Sequence, residues 1–245
     1  MDSIAKMEES RSLEMRPRFL WLLILSYSMV IITSNWFDAR LVEVFGMAVS
    51  PGTLIFPLSF LISDIITEVY GYKHARRAIW TALIFNVLII AYGQLLISLP
   101  SPSFATNNDS FDKLIAMDAQ IICGSFMAYL IAEPISSFIV AKMKVLTNGK
   151  LMGLRFVSST LVSAAIDTAV FVFIAFYGVF SNSEIALLIL NVWLIKVLIE
   201  IIGMPLSIKI ANILKAKENL DIYDKNTSFN LFSLEAKYTS QDNKL

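Results

Sequence analysis

Six apolar stretches, each long enough to cross a bilayer as a helix, dominate this chain of 245 residues. They run near 19–37, 52–69, 77–99, 115–140, 156–179 and 185–214. Crossing the hydrocarbon core takes about 20 helical residues, and in lipid only helices and closed barrels satisfy their own backbone. No strand-like alternation competes with the helical reading, so the expected class is an all-α membrane protein with six transmembrane helices. Composition agrees: 56% of residues are apolar and 16% charged, against about 25% charged in soluble domains. The mean hydropathy is +0.67.

The connecting segments set an expected orientation. Lys6, Arg11, Arg16 and Arg18 precede the first span; Lys73, Arg76 and Arg77 follow the second. Lys142, Lys144, Lys150 and Arg155 flank the fourth loop, and Lys215 and Lys217 follow the last span. The alternate connections hold little positive charge, with Arg40 in one and Lys113 in another. Positive charge stays inside, so both termini are expected in the cytoplasm. The domains expected are a cytoplasmic N-terminal tail over 1–18, a six-helix transmembrane domain over 19–214 and a flexible cytoplasmic tail over 215–245. The acidic residues of the N-terminus and the length of the first apolar run argue against a cleaved signal peptide.

Composition also removes function classes. A single cysteine, Cys123, excludes an intrachain disulfide framework, and a single histidine, His74, argues against a His- or Cys-rich metal site. No basic stripe with interleaved aromatics points to nucleic acid. No catalytic residue, cofactor or metal is therefore expected.

Polar groups inside the spans carry the functional signal, because ionisable side chains in lipid are costly. Asp64 and Glu68 sit four residues apart in FPLSFLISDIITEVYGYKHARR. Asp64 lies roughly 9 Å before the end of its span, while Glu68 is one turn nearer the basic cluster and could pair there with Arg76 or Arg77. In the fifth span Ser159, Ser163 and Asp167 form a polar stripe, with Asp167 roughly 18 Å deep. Small serines also suit close helix packing, but a buried aspartate needs a partner, a proton or water. The sixth span offers Lys196 and Glu200 at i, i+4, either as a structural ion pair or with Lys196 neutralising Asp167. Glu133-Pro134 adds another carboxylate beside an expected helix break, and Pro57 and Pro205 are further breaks of the kind that flank transporter sites. A faint echo between Ser59-Ser63-Asp64 and Ser159-Ser163-Asp167 fits two inverted halves of three spans each.

These residues resemble the queuosine-precursor transporter family, also called the vitamin uptake transporter family. The matching pieces are Asn35, Gly52 followed by FPLSFLISDIITEVYGYKHAR, Arg155 with SSTLVSAAIDTAVF, and Lys196 with Pro205. They cover roughly residues 19–213, and the D-x-x-T-E-x-Y-G element from Asp64 to Gly71 is specific. Two positions depart: Arg40 stands where a lysine is expected, and Ala164 where a glutamine often follows the serine of the family pattern.

The resemblance implies a multi-pass importer in the bacterial inner membrane for 7-deazaguanines such as preQ0, preQ1 or queuine, which feed transfer RNA modification. The ring presents N1–H and an exocyclic amine together, a donor pair that Asp64 or Asp167 could accept, while Asn35 or Ser159 reads the carbonyl edge. Trp36, Phe60, Phe171 or Trp193 could stack on the ring. The expected substrate-binding residues are Asn35, Asp64, Glu68, Ser159, Asp167 and Lys196, and the expected partners are the small molecule and the lipid bilayer. Oligomeric state is open, a homo-oligomer included. A secondary transporter is the leading reading. The alternative is a membrane subunit energised by a separate ATPase module, since this chain has no G-x-x-x-x-G-K-[ST] loop. An intramembrane hydrolase built on Asp64 and Asp167 is disfavoured by the absence of a G-x-G-D motif.

Overall fold

The computed structural model describes residues 17–37, 42–44, 47–49, 51–102, 104–116 and 119–244. Arg40 and most of the N-terminal tail lie outside the described residues. The described chain runs α1 (Leu20–Phe37), β1 (Val42–Val44), β2 (Met47–Val49), α2 (Pro51–Ile55), α3 (Pro57–Tyr70), α4 (Tyr72–Ile97), α5 (Asn108–Ile115), α6 (Ala119–Leu146), α7 (Met152–Phe176) and α8 (Asn182–Glu218). A short 3₁₀ turn, Ser240–Asp242, closes the C-terminal segment.

Six helical segments are long and apolar enough to cross a membrane: α1, α2–α3, α4, Gln120–Leu146 of α6, α7 and α8. The expected six-span, all-helical class therefore holds, with one small addition. Strands β1 and β2 pair antiparallel in a hairpin between α1 and α2. Many large apolar side chains face outward, among them Trp21, Leu88, Ile202 and Leu206. Such a surface would be a severe liability in water and is the natural one in lipid.

One of the three expected helix breaks formed, and one span boundary moved. The break expected at Pro57 is real: Phe56 forms a turn between α2 and α3, with Pro57 in the first helical position where its missing N–H costs nothing. Pro134 and Pro205, by contrast, lie inside α6 and α8 without dividing them. The third span begins at Tyr72 rather than near residue 77, so Lys73, Arg76 and Arg77 occupy the first turns of α4 and not a loop. Gly71 makes this possible. Its φ of 83° turns the chain directly from α3 into α4, a conformation that L side chains rarely adopt.

The helix α3 is central. It contacts α1, α4, α6, α7 and α8, and 67% of the most apolar 18-residue stretch of the α2–α3 span is buried, against 22% of the corresponding stretches of α4 and α8. The α6–α7 pair forms the most extensive helix contact, followed by α7 with α8. At the N-terminus of α8, Ser181 and Glu184 form a reciprocal capping box. At its other end Glu218 accepts the backbone N–H groups of Arg18 and Phe19, at 3.0 Å each, and the Tyr70 hydroxyl at 2.5 Å. One carboxylate thus ties α8 to the end of α3 and to the start of α1, and at the start of α1 the helix dipole favours its negative charge.

The polar segment after α8 is not the solvated extension expected from its lack of periodicity. Ile222, Tyr223, Asp224 and Tyr238 are buried. Asp224 accepts the Tyr72 backbone N–H at 2.9 Å and the Tyr238 hydroxyl at 2.6 Å, and that hydroxyl accepts the Lys73 N–H at 2.8 Å. The segment therefore caps α4, whose basic first turn opposes its own dipole. Arg76 donates to the carbonyls of Ser228, Asn230 and Glu235, and Trp80 to that of Leu231. Backbone carbonyls, invisible to side-chain periodicity, hold it together with the Asp224 and Tyr238 side chains.

Candidate functional site

The polar face of α3 is built at helical spacing, with Ser59, Ser63 and Thr67 one turn apart and Asp64 beside them. This face meets α6 and α7. Ser59 donates to Glu133 Oε1 at 3.1 Å, and the Ser63 and Ser137 hydroxyls lie 3.2 Å apart. Asp64 is fully buried between two donors on different helices. Ser159 of α7 reaches Oδ2 at 3.0 Å, and Ser136 of α6 reaches Oδ1 at 3.4 Å. The Ser159 hydroxyl also lies 2.8 Å from the Phe156 carbonyl. Having one hydrogen, it can serve only one acceptor at a time, so one of the two donors on Asp64 is free to leave it.

Deeper in α7, Asp167 pairs with Lys196 of α8, Nζ to Oδ2 at 2.5 Å. The same ammonium sits 4.8 Å from the centre of the Phe56 ring, in cation–π range. Of the two arrangements open for Lys196, the i, i+4 pair with Glu200 does not form. Glu200 is fully buried, and neither of its oxygens has a hydrogen-bond partner among the described residues.

Glu68 is not paired with Arg76 or Arg77. It is fully buried and bonded to Arg155 of α7 at 2.9 Å and Lys215 of α8 at 2.6 Å, with Lys144 of α6 at 3.7 Å. Lys144 and Lys215 each reach Asp221 at 2.7 Å. Arg76 is taken up by the C-terminal segment, and Arg77 is exposed. The reason is positional: α4 starts so soon after Glu68 that its basic turn points at the segment beyond α8 rather than back along α3. Burial alone would raise the Asp221 carboxyl, but Lys144 and Lys215 outweigh it and hold the group below the usual carboxylate range.

Asn35 stands somewhat apart, donating to Asn86 of α4 at 3.0 Å. The proposed stacking aromatics are mostly committed elsewhere. Phe60 is buried edge-on against Phe56, Phe171 packs edge-on with Phe176, Trp193 donates to the Leu161 carbonyl, and Trp36 is largely exposed. Ala164 is fully buried in α7.

The structure thus brings Asp64 and Ser159 together, Asp167 and Lys196 together, and Glu68 into a separate charged layer. Sequence reasoning did not place Ser136, Phe56 or Glu133 in the site. The signal for Ser136 and Glu133 was present as the run E-P-I-S-S in an otherwise apolar helix; Phe56 had none beyond its proximity to Pro57.

No solved structure matches this chain. A queuosine precursor transporter of Escherichia coli (strain K12) is 28% identical over 165 residues, covering 66% of this chain and 71% of the relative. A protein of Bacillus subtilis (strain 168) named "Probable queuosine precursor transporter" is 23% identical over 177 residues, covering 71% of this chain and 76% of the relative. One of the same name from Haemophilus influenzae is 29% identical over 126 residues, about half of each chain. The family described as "Putative vitamin uptake transporter" matches residues 50–210, a stretch that contains the Asp64, Glu68, Ser159, Asp167 and Lys196 positions. The chain belongs to this vitamin uptake transporter family, and it is a transporter, not an enzyme.

Proposed function

We propose that this protein imports a queuosine precursor, a 7-deazaguanine such as preQ0, preQ1 or queuine, across the bacterial inner membrane. The observation that carries the reading is Asp64: a fully buried carboxylate on the central helix, held by hydroxyls from α6 and α7, of which Ser159 has a second acceptor to turn to. A deazaguanine would replace Ser159 and Ser136, giving N1–H and its exocyclic amine to the two oxygens of Asp64. The displaced Ser159 hydroxyl would then be free for the carbonyl edge. A site that bonds polar ring edges strongly rejects analogues lacking them. Asp167 and Lys196 form the outer wall of this site, with Lys196 setting the charge that Asp167 presents. Glu68 closes its basic end, and Asn35 belongs to its α1–α4 side.

The orientation in this reading has both termini in the cytoplasm. Lys73, Arg76, Lys144, Arg155 and Lys215 gather at the end of the bundle where α3 meets α4 and α6 meets α7, and positive charge favours the cytoplasmic side. The protein acts as a secondary transporter by alternating access.

The test is uptake of labelled preQ1 by cells unable to make it. Wild type restores uptake, and Asp64→Asn at matched expression abolishes it, because the amide puts an NH2 donor where the second carboxylate oxygen accepted. Full uptake by Asp64→Asn would remove the aspartate from the site. Uptake by purified protein alone in liposomes separates the secondary transporter from a subunit that depends on an ATPase partner.

A further inference from the structure

The middle of the bundle holds more negative charge than it can neutralise. Asp64, Glu133, Asp167 and Glu200 are all buried there, and Lys196 is the buried cation among them. The other buried cations of this region, Lys144 and Arg155, are committed to Glu68 at the basic end, together with Lys215. Lys215 follows Glu200 by fifteen residues on α8, roughly 22 Å away. Fully ionised, the four acids would leave three charges unneutralised in a lipid-embedded interior, which is prohibitive.

The hydrogen bonds show which acids are least supported as anions. Asp64 has hydroxyl donors on both oxygens, and Asp167 has an ammonium. Glu133 accepts the Ser59 hydroxyl on Oε1, with the Tyr27 and Ser63 hydroxyls beside it, and among the described residues Oε2 has no partner; Glu200 accepts on neither oxygen. The hydroxyl of Thr160, on α7, lies beside Glu200 outside hydrogen-bond geometry and is itself buried without a partner among the described residues. It can accept from a protonated carboxyl. The groups facing Glu200 from the packed elements are Asp64 of α3, Thr160 of α7 and Glu133 of α6, with Lys196 one turn away on its own helix; α2 contributes no titratable residue. A proton needs no ring of ligands to neutralise a carboxylate that lacks partners.

We propose that Glu200 and Glu133 are protonated in the resting protein and that Glu200 is the proton-coupling site of transport. The Glu200 carboxylic acid loses its proton to water on the cytoplasmic side as the carrier opens there, and the carboxylate regains one from the outer side on return. No other bond changes. The coupling role rests on the transport reading above; the protonation does not.

The experiment has two arms in sodium-free buffer. Infrared spectra of the purified protein at neutral pH read protonated carboxyl groups directly. Glu200→Gln and Glu133→Gln are each expected to remove one component of the acid C=O band, and Glu200→Asp to retain a shifted one. An acid band unchanged in both glutamine variants overturns the proposal. In proteoliposomes, an inward gradient of one pH unit should drive accumulation of labelled preQ1 by up to about tenfold in wild type, for one proton per substrate. Glu200→Gln should keep preQ1 counterflow exchange and lose that accumulation. Wild-type exchange that ignores the pH gradient overturns the coupling while leaving the substrate reading intact. No preQ1 exchange at all by wild type overturns that reading, and the coupling role with it.

Discussion

Lys196 bonds Asp167 across the α7–α8 contact at 2.5 Å while Glu200, one turn along the same helix, goes without it. Both members of the pair are nearly inaccessible, so each is the other's chief compensation for leaving water. Lys196→Met should destabilise the protein by about 3–5 kcal/mol, because it strands a buried carboxylate. The double variant Lys196→Met/Asp167→Asn should recover most of that loss. Thermal unfolding in detergent across the four proteins measures the coupling, and strictly additive losses would mean the contact contributes nothing.

The six spans were legible in the sequence because lipid imposes a length and a composition that few other structures share. Asp64, Ser159 and Asp167 were legible for a related reason: a polar residue in a span stands out by its cost. Partner choice was not. Lys196 faces Glu200 by spacing but Asp167 by packing, and Glu68 is met by Arg155 and Lys215 from helices distant in sequence. The C-terminal segment was misread because its attachment runs through backbone carbonyls to Arg76, Trp80 and Lys144. Such bonds leave no periodic trace.

That segment depends on Gly71. A Cβ there would lie 2.4 Å from the Tyr238 hydroxyl oxygen and 2.8 Å from Ile222 Cγ2, on a backbone already at φ 83°. Gly71→Ala must therefore expel Tyr238, which burial and Asp224 keep as a neutral donor by raising its phenol well above the ordinary value. Limited trypsin digestion should cleave after Lys225 or Lys237 much faster in Gly71→Ala than in wild type, while the helical bundle stays intact. Equal rates would show that the segment does not need this contact.

Asp221 joins the segment to the Glu68 layer, and its folded carboxyl lies below its ordinary value. A depressed acid contributes stability above its unfolded pKa of about 3.9 and loses that contribution as pH falls through the lower folded value. The difference in melting temperature between wild type and Asp221→Asn should hence be constant from about pH 8 to pH 5 and shrink below about pH 4. A difference that grows on acidification would contradict the sign of the shift.

The two serines on Asp64 should not weigh equally in ligand recognition. Ser159 is nearer, at 3.0 Å against 3.4 Å for Ser136, and has the Phe156 carbonyl as an alternative acceptor when ligand arrives. Ser136 has no such alternative that would favour its release. If Ser159 turns to the carbonyl edge of the bound ring, Ser159→Ala loses a ligand bond of about 0.5–1.5 kcal/mol, or roughly 2- to 10-fold in Kd. Ser136→Ala removes a competitor for Asp64 and should leave preQ1 affinity unchanged or slightly tighter. Isothermal titration of both variants with preQ1 checks the order, and a larger loss for Ser136→Ala would place the ring's carbonyl edge toward α6 instead of α7.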